Sequence, residues 1–248
     1  MSVDDYRCSH ADKGHGQRYD SLLFNSGRYD YGIWRIEKNI LKKLIEKYFK
    51  SKVNDYLDFA CGTGRIINFL ESFCENSMGI DISADMLAVA KSRCKNQTFM
   101  CADITEQKVA LLNNHKFDLI TCFRFLLNAQ QDLRKQALDA LYELLDDDGY
   151  LVFNVHGVCN SFLWIILIVR RLLGMSVGNS LSTAEIFDML KESGFKIIEI
   201  RSVCFLPRIM NRLLPQKIWI GVERLLGKMH LFNKLGIYRI FVAKKNQP

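Results

Sequence analysis

One stretch constrains the fold more than any other: Tyr56-Leu57-Asp58-Phe59-Ala60-Cys61-Gly62-Thr63-Gly64-Arg65-Ile66. An apolar run carrying one acid enters a turn of small residues, and the turn enters a helix-forming segment. Gly62 and Gly64 let the backbone come close to a ligand, because no Cβ stands in the way. A helix starting there would present its free N–H groups at the same place. The stretch therefore reads as a strand, a turn over which a nucleotide-like cofactor sits, and a helix.

The chain around it alternates. From Tyr31 to Lys50 the apolar positions Ile33, Ile36, Ile40, Leu41, Leu44, Ile45 and Tyr48 recur at helical spacing. Strand 56–60 precedes a helix at about 64–75. Strand 77–82 precedes a helix opened by Ser83 as N-cap, with Asp85 in its first turn. Strands 97–101 and 117–122 follow, then a helix over 132–145. Asp146-Asp147-Asp148-Gly149 reads as a turn before strand 150–155. Ser182-Thr183-Ala184-Glu185 is a capping box for a helix that Gly194 stops. Strands 195–204 and 237–243 close the pattern. Alternation of this kind predicts an α/β fold: a doubly wound, seven-stranded, mostly parallel sheet with helices on both faces.

Two segments interrupt it, at about 156–181 and 205–236. The first contains the run Phe162-Leu163-Trp164-Ile165-Ile166-Leu167-Ile168-Val169 followed by Arg170 and Arg171. That run is short of the ~20 residues that span a bilayer. It reads as a lid helix or as a helix lying at a membrane interface. The second mixes Leu213, Ile218, Trp219 and Leu225 with Lys217, Arg224 and Lys228. Charge follows the same division. From Asn160 onward seven Arg and seven Lys face five acids, so this part carries +9 while residues 1–159 sum to −2. An anionic partner for the C-terminal part is one reading and a solvated basic face the other. Eight cysteines without a CxxC pair read as reduced, mostly buried thiols of a cytoplasmic protein. The opening Met1-Ser2-Val3-Asp4-Asp5 does not resemble a secretory signal.

Over roughly Asp55–Phe195 the sequence resembles the class I, Rossmann-like S-adenosylmethionine (SAM)-dependent methyltransferases. Asp58-Phe59-Ala60-Cys61-Gly62-Thr63-Gly64 looks like that family's acidic-x-Gly-x-Gly-x-Gly loop, with Ala60 in place of the first glycine. Gly79-Ile80-Asp81-Ile82-Ser83 looks like its second motif and Ala102-Asp103-Ile104 like its third. The resemblance implies an antiparallel last strand and S-adenosylmethionine as cofactor. It further implies that Ala60, Cys61, Gly62 and Gly64 line the methionyl part and that Asp58 helps hold the amino group. Asp81 would accept both ribose hydroxyls and Asp103 the adenine amino group. The Ile104 amide would donate to the ring, which Ile82 and Met86 would sandwich. Thr121 and Cys122 would edge the transferable methyl. A nicotinamide cofactor is disfavoured, since Ile67 stands where the G-x-G-x-x-G turn needs a third small residue.

Residues 1–50 are then an N-terminal arm and helix capping the cofactor site, with Tyr19, Tyr29 and Tyr31 as candidates for a flap. Residues 51–248 form the SAM-binding domain with its two lid insertions. His156, directly after the fifth strand, is the candidate general base. Arg124 and Asn128 are candidates to hold a substrate anion or carbonyl. The amino-methylating branch's Asp/Asn-Pro-Pro-aromatic signature is absent, with Thr121-Cys122-Phe123-Arg124 in its place, and no nucleic-acid module is recognisable. The expected acceptor is a small molecule, lipid-like or amphiphilic, met at a membrane periphery. An RNA or protein substrate for the basic face, or a non-catalytic SAM-fold subunit, are the rival readings.

Overall fold

The computed structural model describes residues 29–106, 112, 115–156, 168–169, 172–174, 180–206, 210–229 and 236–246. The arm before Tyr29, with Tyr19, and most of the first insertion lie outside them. Helix α1 (Tyr29–Tyr48) leads into β1 (Val53–Phe59), α2 (Arg65–Leu70) and β2 (Cys74–Asp81). Next come α3 (Ala84–Arg93), β3 (Thr98–Cys101), β4 (Phe117–Cys122), α4 (Gln131–Leu144) and β5 (Leu145–His156). The chain continues through α5 (Thr183–Glu192), β6 (Phe195–Val203), α6 (Met210–Leu213), α7 (Gln216–Lys228) and β7 (Tyr238–Lys245). The seven strands form one sheet in the order β3-β2-β1-β4-β5-β7-β6. All pairs are parallel except those of β7, which runs antiparallel to both β5 and β6. The expected doubly wound sheet with an antiparallel last strand is what forms.

Two apolar layers sandwich this sheet. Leu133, Leu138, Leu141 and Ile186 pack on one face, and Ile33, Leu41, Leu44, Ile67 and Trp219 on the other. β1 and β4 are buried throughout their carboxyl halves, as interior parallel strands must be. Ser83 caps α3 by accepting from the Met86 N–H at 3.4 Å. Ser182 and Glu185 form the complete capping box of α5. The acidic turn 146–149 is an excursion inside β5: Phe117 pairs with Leu145, and Leu119 next pairs with Tyr150. The helix after the glycine turn is shorter than its apolar pattern suggests. It ends at Leu70, a single 3-10 turn follows, and β2 begins at Cys74. Among the described residues no helix is long and apolar enough to cross a membrane. The six described cysteines are free thiols, and only Cys101 is exposed.

The glycine turn is left-handed at three points, Ala60 (φ 53°), Gly62 (φ 53°) and Gly64 (φ 73°). Ala60 thus holds a conformation that a Cβ disfavours. The two glycines have different reasons. A Cβ at Gly62 would meet nothing within 4 Å, so that backbone faces open space. One at Gly64 would stand 2.9 Å from the Ala90 Cβ, so its smallness admits α3.

Helix α1 is tied to α2, β5 and β7 by a buried carboxylate. Glu37 has no solvent exposure. Its Oε2 accepts from Arg65 Nη1 at 2.9 Å, and its Oε1 accepts from Asn154 Nδ2 at 3.3 Å and from the Tyr238 hydroxyl. Burial pushes its pKa up, but Arg65, Arg124 and the Tyr238 hydroxyl outweigh that and hold it below the usual range. The Arg65 guanidinium also stacks on Trp34, 4.3 Å from the ring centroid.

Glu37→Ala removes the acceptor that Arg65, Asn154 and the Tyr238 hydroxyl share. It is expected to cost about 3 kcal/mol of unfolding free energy, read by urea titration. Ala60→Gly relieves the left-handed strain and is expected to stabilise by about 1 kcal/mol in the same measurement.

Candidate active site

A cavity of about 260 Å³ opens at the carboxyl edge of the sheet, where open parallel sheets bind ligands. Its wall is built in strand order. β1 supplies Asp58 and the turn residues Ala60, Cys61 and Gly62. β2 ends in Asp81, with Ile82 and Met86 beyond it, and Ala102 and Asp103 follow β3. Past β4 stand Phe123, Arg124, Phe125 and Asn128, and β5 ends in His156. Three carboxylates therefore line one end of the cavity, and a cation and an imidazole the other.

Each carboxylate is locked by the turn it serves. Asp81 accepts from the Gly62 N–H through Oδ2 at 2.7 Å and from the Ser83 N–H through Oδ1 at 2.9 Å. It ties the glycine turn to the cap of α3, and the Cys61 N–H adds a bond to the Ile80 carbonyl at 3.0 Å. Asp103 Oδ1 accepts from the Thr105 N–H at 2.9 Å and from its hydroxyl, which shapes the loop after β3. Asp58 is 1% exposed; its Oδ1 accepts from the Thr121 hydroxyl at 2.6 Å and its Oδ2 from the Ile67 N–H at 3.2 Å. Burial raises the Asp58 pKa to about 7, against the opposing pull of those two bonds. Burial likewise pushes the Cys61 thiol well above its ordinary range, so it stays neutral.

Not every residue of the three motifs reaches the cavity. Thr121 is fully buried beneath it, bridging Asp58 and the Tyr56 hydroxyl at 2.6 and 2.7 Å. Cys122 is equally buried, so neither residue edges the space where a methyl would pass. Gly64 and Ile104 stand outside the wall; Ile104 belongs to the core against α4. Tyr29 packs on Trp219 with ring centroids 5.2 Å apart, and Tyr31 is not a wall residue.

At the other end the backbone is strained. Arg124 has φ 63°, a conformation rare for a long side chain and common at working sites. Its N–H donates to Asn154 Oδ1 at 2.6 Å, and the Asn128 amide donates to its carbonyl at 2.8 Å. Asn128 thereby braces the loop. Arg124 Nη2 lies 3.9 Å from Asp30 Oδ1, and its side chain is 20% exposed. His156 has a buried Nδ1 with no hydrogen-bond partner in the protein. Burial, then the Arg124 charge, lowers its pKa to about 4, so the imidazole is neutral at pH 7. The Glu37–Asn154 link that braces Arg124 was not foreseen from the sequence. Its one trace there is a carboxylate standing on the apolar stripe of α1, four residues after Ile33.

Comparison with known proteins agrees with this architecture. Residues 57–153 match the family model described as a methyltransferase domain. A demethylmenaquinone methyltransferase of Leptospira interrogans is 33% identical over 141 residues, 53% of this chain and 55% of that protein. A malonyl-[acyl-carrier protein] O-methyltransferase of Bacillus cereus is 28% identical over 148 residues, 57% of this chain and 52% of that protein. The chain thus spans about half the length of these relatives. The magnesium protoporphyrin IX methyltransferase of Synechocystis, solved with bound SAH, superposes with a TM-score of 0.65. That alignment covers 97% of this chain and 100% of the other at 16% identity, a likeness of fold. The sheet order, the left-handed glycine turn and the superposition agree on the Rossmann-like fold of the class I SAM-dependent methyltransferases, and residues 57–153 are similar to the methyltransferase domain family.

Proposed function

We propose that this protein transfers a methyl group from S-adenosylmethionine to a small, amphiphilic acceptor. The observation that carries the reading is the placement of Asp58, Asp81 and Asp103 on one cavity wall around a turn whose Gly62 backbone is open to that cavity. The wall fits the cofactor. Asp81 offers a carboxylate to a vicinal diol, Asp103 an acceptor to an exocyclic amine, and Ile82 with Met86 apolar surface for a flat ring. Asp58 offers negative charge to an ammonium group. Bound there, S-adenosylmethionine supplies a methyl on a positively charged sulfur, which an acceptor lone pair displaces in line.

The protein's own groups orient the acceptor. Phe123, Phe125 and Leu133 give the far end of the cavity an apolar wall. Arg124, held rigidly by Asn154 and Asn128, receives an anionic or carbonyl group of the acceptor. His156 points a neutral imidazole into the same space and takes a hydrogen bond from the attacking atom. With a pKa of about 4 it is a weak base, suited to a nucleophile that arrives ionised or sheds its proton as the new bond forms. The names of the relatives, a quinone, an acyl-carrier-linked and a porphyrin methyltransferase, support a small-molecule acceptor. Contact with a membrane periphery would suit an amphiphilic one.

Calorimetry with S-adenosylmethionine and its demethylated product tests the reading. Wild type is expected to bind both, and Asp81→Asn to bind about 10–100-fold more weakly through the loss of charged hydrogen bonds. Absence of binding by wild type would refute it. The sign of the pH dependence follows from Asp58. An ammonium group selects the ionised carboxylate, so below pH 7 binding must expel its proton. Affinity is expected to climb from pH 5.5 to about 7, by up to about tenfold per unit at the acid end. Calorimetry in buffers of different ionisation enthalpy should show proton release at pH 6, and Asp58→Asn should abolish it. For the acceptor side, His156→Ala is expected to lower kcat about 100-fold while leaving cofactor affinity unchanged. The acceptor for that assay comes from mass spectrometry of lysate incubated with labelled cofactor.

A further inference from the structure

A second cavity, of about 290 Å³, lies between α1, β6 and α7, away from the residues of the candidate active site. Its floor is apolar: Ile36, Ile40, Leu44 and Val203. Its rim carries Lys43, Arg201, Arg224 and Lys228. The acid in its lining, Glu223, is 1% exposed, and its carboxylate is spent on the Phe205 and Leu206 N–H groups at 3.0 and 2.9 Å. Arg201 pairs with Glu199. Lys43, Arg224 and Lys228 have no carboxylate partner among the described residues.

Arg224 and Lys228 also belong to the outer face of α7. Lys217, Gly221, Arg224 and Lys228 form one stripe at helical spacing, with Ile218, Leu225 and Met229 beside it. Those three apolar side chains are 53%, 61% and 45% exposed, and Leu213 just before the helix is 67% exposed. The only acid of α7 is the buried Glu223. Cations interleaved with exposed aliphatics suit a surface that is anionic outside and apolar beneath. A polynucleotide would use the cations and leave the aliphatics in water.

We propose that α7 and the cation-rimmed cavity beside it form a docking face for an anionic phospholipid surface. A lipid phosphate sits among Lys43, Arg224 and Lys228, and Ile218, Leu225 and Met229 dip into the acyl region. The sequence from residue 160 onward carries +9, against −2 before it, a surplus of the sign that an anionic surface attracts. β6 runs parallel to β5, since both are antiparallel to β7, so Val203 stands at the carboxyl edge of the sheet. The docking face therefore shares an edge with the acceptor end of the active site. The inference stands on charge and exposure and is independent of the methyl-transfer reading.

The test is co-sedimentation of the full chain with vesicles of phosphatidylcholine alone and of an equimolar mixture with phosphatidylglycerol. Binding is expected to the mixed vesicles and to weaken with salt. Arg224→Gln with Lys228→Gln is expected to lower the partition coefficient roughly thirtyfold. Ile218→Ser with Leu225→Ser should abolish the binding that survives high salt. Both double variants should keep wild-type calorimetric binding of S-adenosylmethionine and wild-type thermal unfolding, so a fold defect or a failed cofactor reading is recognised separately. Equal partition on the two vesicles, or no change in the variants, overturns the proposal. So does binding of inorganic phosphate or RNA without vesicle binding, or a dimer that the apolar variants dissolve and that ignores vesicles.

Discussion

A carboxylate sealed from water must be surrounded by donors or give up its charge. Glu37 keeps its charge, and with the donors it gathers it joins four separate parts of the chain. Arg65 starts the helix after the glycine turn, Asn154 lies in β5, Tyr238 starts β7, and Glu37 itself belongs to α1. Asn154 then uses its oxygen on the Arg124 N–H. One buried anion thus joins the cofactor turn at one end of the cavity to the strained arginine at the other. The helix that carries it is thereby tied to α2, β5 and β7.

The cavity is electrically divided. Its carboxylates gather at the ends of β1, β2 and β3, and Arg124 with a neutral His156 stands at the ends of β4 and β5. Such a division suits a cationic cofactor and an electron-rich acceptor, each placed where its charge is matched. The carboxylates are also structural: Asp81 and Asp58 hold the turn by accepting backbone N–H groups before any ligand arrives. Preorganisation of this kind fixes the turn, at the expense of burying Asp58 deeply enough to raise its pKa to about 7.

Much of this was legible in the sequence because it follows from local pattern. The glycine turn and the strand at 117–122 need only alternation and spacing to be read, and the set of three acids is what the resemblance of the motifs implies. The misplacements share one cause. Thr121 sits at a strand end, but strand ends alternate their faces, and its side chain points under the turn to Asp58 rather than into the cavity. Gly64 looks like a ligand-facing glycine, but the body it admits is Ala90 of α3. Ala60 looks like a harmless replacement, but the turn's left-handed geometry makes it a strained one. For Thr121 and Gly64 the neighbour that decides is distant in sequence.

The sequence by itself determined the fold class and the small-residue turn after the first strand; the roles of Asp58, Asp81 and Asp103 are what the resemblance of its motifs implies. Fold class and turn depend on hydrophobic periodicity and on the backbone freedom of glycine, which are properties of neighbouring residues. Only the tertiary structure decided which side chains face the cavity, how Glu37 braces Arg124, and that Lys43, Arg224 and Lys228 converge beside an exposed apolar helix face. Those depend on burial and on contacts between residues far apart along the chain. Burial sets the cost of a charge, and that cost selects its partners.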